Sequence, residues 1–142
     1  MRIKRKELFS SLSHLLGATL APAGSLVLAL RSQTPALLAV SLIYGLSMTF
    51  MFSASALYHA FKTEEGGNGF WRRLDHLAIF FMIAGCYTPI CYVHLSGGWR
   101  WSILGVQWGL VLAGVVFKLV YIGAPRAVAA VIYLVMGWIV VI

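Results

Sequence analysis

The sequence predicts an all-α membrane protein, built as an antiparallel bundle of transmembrane helices. Hydrophobic residues make up 61% of the 142-residue chain and charged residues only 11%, whereas a soluble domain carries about 25% charged residues. The mean hydropathy is +0.87. Such a chain lacks the polar surface that covers a small soluble domain in water. We therefore expect a single integral membrane domain over residues 1–142.

Five apolar runs are the candidate membrane spans, because a helix needs about 20 apolar residues to cross the hydrocarbon core. They cover residues 14–30, 35–61, 74–95, 101–122 and 127–142. The segments between them are short and contain Gly, Pro, Ser or Asn. Short connections make successive helices antiparallel neighbours, and they leave no room for an inserted soluble domain.

The two ends of the chain need separate interpretation. The basic residues before the first span, with Leu8, Phe9 and Leu12 among them, suit either a short helix on the inner membrane surface or a solvated tail. The last run, residues 127–142, reaches only about 24 Å as a helix, less than a hydrocarbon core of about 30 Å. From this we expect the chain to be truncated at its C-terminus.

The positive charges predict the orientation, because Lys and Arg are enriched in cytoplasmic loops. With a cytoplasmic N-terminus, Arg31 and Arg100 are the only two of the 11 basic residues on the outer side. The other nine are then cytoplasmic: Arg2, Lys4, Arg5, Lys6, Lys62, Arg72, Arg73, Lys118 and Arg126. Since membrane orientation accounts for these charges, we expect membrane lipids as partners and no nucleic acid.

Polar residues interrupt the apolar runs at the predicted cytoplasmic end of the bundle. Ser55 and His59 are four residues apart near the end of the second span, so they share one helix face. Asp75 and His76 open the third span, and His14 begins the first. Ser55, His59 and Asp75 could thus meet in one cavity open to the cytoplasm. Ionisable residues in spans favour a functional site; the alternative is a structural role in interfacial water.

Other features are typical of helix packing rather than of chemistry. Cys86 and Cys91 are five residues apart in one run, a spacing that matches no metal or redox motif. The sequence GVQWG, residues 105–109, is a GxxxG pattern that suits close contact between helices.

Four motifs together resemble the hemolysin III family, bacterial relatives of the progestin and adipoQ receptors in a superfamily with the alkaline ceramidases. ELFSSLSHLLGA, from Glu7, is similar to the family's N-terminal Glu-to-His pattern. SALYHAF, from Ser55, resembles its Ser-x-x-x-His signature, and RLDHLAIFFMIAGCYTP, from Arg73, resembles its third helix. YLVMGW, from Tyr133, resembles its fifth helix. The resemblance covers nearly the whole chain.

The resemblance implies a zinc site and a role for each matching residue. His59 would be a zinc ligand, Asp75 would hold or deprotonate the metal-bound water, and Ser55 would be a hydrogen-bond donor. Apart from these implied roles, we take Glu7, His14 and His76 as candidate accessory residues of the site. The family has seven helices and a His-x-x-x-His pair on the seventh, so two zinc ligands would lie beyond residue 142. Cys86 stands where the family commonly has threonine.

The function implied is a zinc-dependent hydrolase that cleaves membrane lipid amides from the cytoplasmic face of the bacterial inner membrane. With one of three histidine ligands, the present chain is expected neither to hold Zn²⁺ nor to be active. Two alternatives stay open: a pore-forming cytolysin, as the family name suggests, and a non-enzymatic membrane receptor or stress sensor. The sequence predicts no particular protein partner.

Overall fold

The computed structural model describes residues 5–62, 69–120 and 126–139, and these residues form five helices without a strand. The helices are α1 (Arg5–Arg31), α2 (Pro35–Phe61), α3 (Gly69–His94), α4 (Gly97–Val120) and α5 (Arg126–Trp138). The first four are long and apolar enough to cross a membrane, whereas the apolar helix Ala127–Trp138 is shorter. The predicted all-helical membrane fold is confirmed, and its orientation stays a prediction.

The second predicted span matches its helix residue for residue because strong end signals bound α2. Pro35 occupies the first turn and Thr34 is the N-cap, with its hydroxyl accepting a hydrogen bond from the Leu37 backbone N–H. The N–H groups of a first helical turn have no partner within the helix, so proline, which lacks an N–H, is well tolerated there. The threonine side chain accepts a hydrogen bond from one of these N–H groups.

Helices α1, α3 and α4 begin before the apolar runs that predicted them, whereas α3 ends at His94 and α5 at Trp138, before the predicted limits of 95 and 142. α1 is continuous from Arg5, so the described part of the basic segment lengthens the first helix and does not form a separate surface helix. α3 begins at Gly69 and α4 at Gly97, each before its apolar run. Backbone hydrogen bonding continues a helix into the interface, where side-chain hydropathy no longer marks it. Residues 121–122 and 140–142 of the predicted fourth and fifth spans lie outside the described residues.

The contacts between helices establish the predicted antiparallel order of α1 and α2. At one end, Glu7 near the start of α1 contacts His59 near the end of α2. At the other end, the hydroxyl groups of Ser32 and Ser41 lie 3.2 Å apart. The two helices therefore form a hairpin that is paired along its whole length.

The same reasoning places α3 antiparallel to α2. Trp71 in the first turn of α3 stacks on Phe61 at the end of α2, with ring centroids 5.4 Å apart. Further along, Phe81 of α3 packs edge-on against Phe50 of α2 at 5.5 Å. The start of α3 is thereby held beside the end of α2, which carries His59.

The last helix is attached by hydrogen bonds from aromatic side chains and runs parallel to α3. The Tyr133 hydroxyl donates to the His76 carbonyl at 2.8 Å, and the Tyr87 hydroxyl donates to the Gly137 carbonyl at 2.9 Å. From the first contact to the second, the residue number rises in both helices, from 76 to 87 in α3 and from 133 to 137 in α5. The two helices therefore run in the same direction. In addition, Gln107 of α4 is fully buried and donates to the Met136 carbonyl at 2.8 Å.

Small residues allow the neighbouring helices to approach closely, as is common in membrane bundles. Gly45 of α2 faces Ser25 of α1, and Gly85 of α3 faces Ser47 of α2. By contrast, the glycines of the GVQWG pattern, residues 105 and 109, have no described neighbouring atom within 4 Å of where a Cβ would lie. The close contact expected from that pattern is therefore not present among the described helices.

Phe80 lies at the centre of the buried core. It packs with Ala84 of α3, Val111 of α4 and Met136 of α5. Large apolar side chains also cover the outer surface, for example Leu112 at 70% exposure. An apolar exterior around a small buried core suits a bundle whose solvent is lipid.

Candidate functional site

Six ionisable residues gather at one end of the bundle. α1 begins, α2 ends and α3 begins at this end because successive helices are antiparallel. The residues concerned are Glu7, His14, His59, Lys62, Asp75 and His76. The structure thus places the residues of the predicted site at a common end of the bundle, and their contacts divide them into two groups.

The first group joins α1 to α2 through the carboxylate of Glu7. Nδ1 of His59 lies 2.6 Å from Glu7 Oε2. The ammonium group of Lys62 donates to Glu7 Oε1, also at 2.6 Å. The side chains of Glu7 and His59 are 18% and 21% exposed, so protein surrounds most of this contact. One carboxylate oxygen has a partner from α2, and the other has a partner in Lys62, the C-cap residue of that helix.

His14 completes this group, which we call the α1–α2 polar cluster: Glu7, His14, His59 and Lys62. The ring of His14 meets that of His59 edge-on, with centroids 5.7 Å apart, and lies 6.0 Å from the ring of Phe52. Its Nδ1 is buried without a hydrogen-bond partner among the described residues. A buried polar atom of this kind is uncommon in proteins and is a point where the cluster can accept a further polar group.

Ser55 lies one helical turn before His59 on α2 and is only 5% exposed. Next to it, the hydroxyl of Ser11 donates to the Ala56 carbonyl at 3.1 Å and ties α1 to the same turn. Ser55 is therefore held in a well-packed section of the hairpin, close in sequence and position to the cluster.

The second group lies on α3 and contains Asp75 and His76. Asp75 Oδ2 is 3.9 Å from Nδ1 of His76. That nitrogen also lies 2.6 Å from the Arg72 carbonyl, so it donates its proton to the backbone. Within the described ranges, the hydrogen bonds and ion pairs do not connect Asp75 with Ser55 or His59. Their meeting in one cavity stays a prediction.

A cavity of about 320 Å³ opens elsewhere on the bundle. It lies between α2, α3 and α4 and has mostly apolar walls. Its lining consists of Ile43, Leu46, Ser47, Phe50, Phe81 and Trp108. None of the predicted site residues lines this cavity.

The described residues do not by themselves form a metal centre. No group of three or more His, Cys, Asp and Glu side chains among them could hold a metal ion. A catalytic zinc ion usually has three protein ligands and a water. His59 offers one nitrogen, Nε2, because its Nδ1 is occupied by Glu7. A zinc centre at His59 would need donors from outside the described residues.

Sequence reasoning gave Glu7 only an accessory role and missed Lys62. A signal was available: Glu7 is the single acidic residue before the first span. In an antiparallel hairpin, the first residues of one helix face the last residues of the next. This order brings Glu7 to the same end of the bundle as His59 and Lys62, which are three residues apart and share a face.

Comparison with known proteins places the chain in a family. The model of the family described as "Haemolysin-III related" matches residues 3–142. The chain is 28% identical to Hemolysin-3 of Bacillus cereus over 97% of its own length and 64% of that protein. It is 35% identical to the Hemolysin-3 homolog of Bacillus subtilis over 70% of its own length and 46% of that protein.

The chain thus spans less than two thirds of the length of these relatives. No solved structure matches it. Since the family model covers nearly the whole sequence, the chain belongs to the haemolysin-III related family.

Proposed function

We propose that the protein is an integral membrane hydrolase that acts on membrane lipids from the cytoplasmic face of the bacterial inner membrane, with His59 at the centre of its site. The observation that carries this proposal is the α1–α2 polar cluster, in which a carboxylate fixes a largely buried imidazole. Enzymes commonly use histidine as a general base or as a metal ligand, and a carboxylate on its second nitrogen orients the ring.

The position of the cluster suits a lipid substrate. It lies where α1 begins and α2 ends, and the ends of membrane helices lie at the boundary between acyl chains and headgroups. The amide or ester bonds of membrane lipids lie at the same depth. A lipid can therefore present such a bond to His59 without leaving the bilayer.

Ser55 and Asp75 are the further residues of the proposed site. Ser55 lies one turn from His59 in a buried section, where its hydroxyl could donate to a developing oxyanion. Asp75 lies at the same end of the bundle on α3 and would hold or deprotonate the attacking water. A zinc ion, if bound, would supply a water with a pKa near 7, and His59 Nε2 would be the contribution of this chain to its binding.

Lipid hydrolysis by the purified protein, taken at the full length of the natural gene product, tests the proposal. The protein, reconstituted in lipid nanodiscs that contain a ceramide, is assayed for fatty acid release by mass spectrometry, and its zinc content is measured alongside. His59→Ala should lower the rate by about 100-fold or more, the usual contribution of a general base. His94→Ala, at an exposed residue at the opposite end of α3, is the matched control. Equal rates and equal zinc contents in the wild type and His59→Ala would contradict the proposal.

The name of the two relatives favours a second candidate, permeabilisation of membranes. Both are called hemolysins, and this chain belongs to the haemolysin-III related family. Release of an entrapped dye from liposomes measures this activity directly. Leakage that persists in His59→Ala would separate lysis from hydrolysis, and the absence of leakage at high protein loading would exclude lysis.

A further inference from the structure

We propose that Glu7 is a positioning residue that holds His59 as the tautomer with its proton on Nδ1, so that the Nε2 lone pair is available. The use of Nε2, as a base or as a metal ligand, rests on the proposed function. The assignment of the tautomer is independent of the proposed function, because it follows from the contacts within the α1–α2 polar cluster.

The first step is the contact between Glu7 and His59. Glu7 Oε2 and His59 Nδ1 are 2.6 Å apart, a distance that requires a proton between them. An ionised carboxylate has no proton to donate, so the proton belongs to Nδ1. In the neutral ring, Nε2 then carries a lone pair. A bond of this length to a charged acceptor is among the stronger hydrogen bonds in proteins.

The second step is the ionisation of Glu7, for which Lys62 provides the cause. Its ammonium group donates to Oε1 at 2.6 Å, and a cation this close favours the charged form of a carboxyl group. With one donor on each oxygen, the carboxylate is also held against rotation. Lys62 thus fixes both the charge and the direction of the group that His59 meets.

The third step is the packing of the imidazole ring. His14 contacts it edge-on at 5.7 Å, and the ring of Tyr58 lies tilted at 5.2 Å. These neighbours limit rotation of the ring, which would exchange Nδ1 and Nε2. Since a free imidazole prefers its proton on Nε2, the cluster holds His59 in the less common form.

Nitrogen NMR of the full chain tests this directly. The protein is labelled with ¹⁵N-histidine, placed in nanodiscs and measured at pH 8.5, well above the usual histidine pKa of about 6.5. In the wild type, nearly all of His59 should carry its proton on Nδ1. In Glu7→Ala, less than half should. Glu7→Gln keeps a carbonyl oxygen that can accept the bond and should retain more of the Nδ1–H form than Glu7→Ala.

His76 is an internal control in the same spectra. Its Nδ1 donates to the Arg72 carbonyl, so its tautomer should not change in either variant, and an unchanged His76 signal reports that this turn of α3 is intact. A wild-type His59 with its proton on Nε2 overturns the inference. So does an Nδ1–H form that persists in Glu7→Ala while His76 is unchanged. Because these signals do not depend on turnover, failure of the hydrolase assay leaves this result standing.

Discussion

Gly85 is where the packing of α3 against α2 leaves almost no room for a side chain. A Cβ at this position would lie 2.5 Å from both Cβ and Oγ of Ser47. Ser47 is itself only 5% exposed, so it cannot move aside into lipid. Gly85→Ala should therefore force α2 and α3 apart.

The size of the effect follows from two opposing terms. Overfilling a packed contact by a methyl group costs about 1–3 kcal/mol. Alanine is better than glycine in a helix by about 1 kcal/mol, which offsets part of that loss. We expect the free energy of unfolding to fall by about 0–2 kcal/mol relative to the wild type.

Gly109→Ala is the matched control, because it makes the same chemical change on a membrane helix at a position that faces none of the described residues closely. A Cβ at Gly109 meets no atom of the described residues within 4 Å, so only the difference in helix propensity between glycine and alanine applies. The two variants should then differ by the packing term alone, about 1–3 kcal/mol. Unfolding by SDS from mild micelles, followed by the fluorescence of the five tryptophans, measures this difference.

A double variant identifies the contact. Ser47→Gly removes the atoms that the new methyl group would meet, so combining it with Gly85→Ala should recover part of the lost stability. Equal stabilities of Gly85→Ala and Gly109→Ala would refute the packing argument. A Gly85→Ala defect that Ser47→Gly does not reduce would show that the strain lies elsewhere.

Three further predictions concern the core, α5 and the orientation. Phe80→Ala should lower the free energy of unfolding by about 3–5 kcal/mol because it leaves a cavity in the core. Leu112→Ala, at a 70% exposed side chain, should change it by about 0.5 kcal/mol or less. Equal losses of stability in the two variants, measured by SDS titration, would contradict this prediction. Tyr133→Phe removes the hydroxyl that donates to the His76 carbonyl and should cost about 0.6–1.7 kcal/mol, as for other hydrogen bonds between membrane helices; an unchanged unfolding curve would count against a stabilising role. In a version without the native cysteines, Ser96→Cys should react with a membrane-impermeant maleimide on intact cells, and labelling only after permeabilisation would reverse the predicted orientation.

The candidate site could be predicted in its location but only partly in its contacts. Ser55 and His59 share a face by helical spacing alone, and antiparallel order brings Asp75 to the same end of the bundle. That order also brings Glu7 to this end, but spacing within a helix does not reveal which side chain of the next helix it meets. The 2.6 Å contacts of Glu7 with His59 and Lys62 depend on the axial register between α1 and α2.

The sequence by itself determined the all-helical membrane fold and the approximate helix limits, with α2 correct at both ends. The reason is that an apolar run in lipid must satisfy its backbone hydrogen bonds internally, which leaves the helix as the solution. Which faces of neighbouring helices pack against each other was decided only by the tertiary structure. These helices are apolar all round, and such helices carry no amphipathic pattern that points to a neighbour. Among the described residues, close contacts occur at Gly45 and Gly85 but not at Gly105 and Gly109. This difference is set by the fit of side chains between helices, about which the hydropathy of a single helix carries no information.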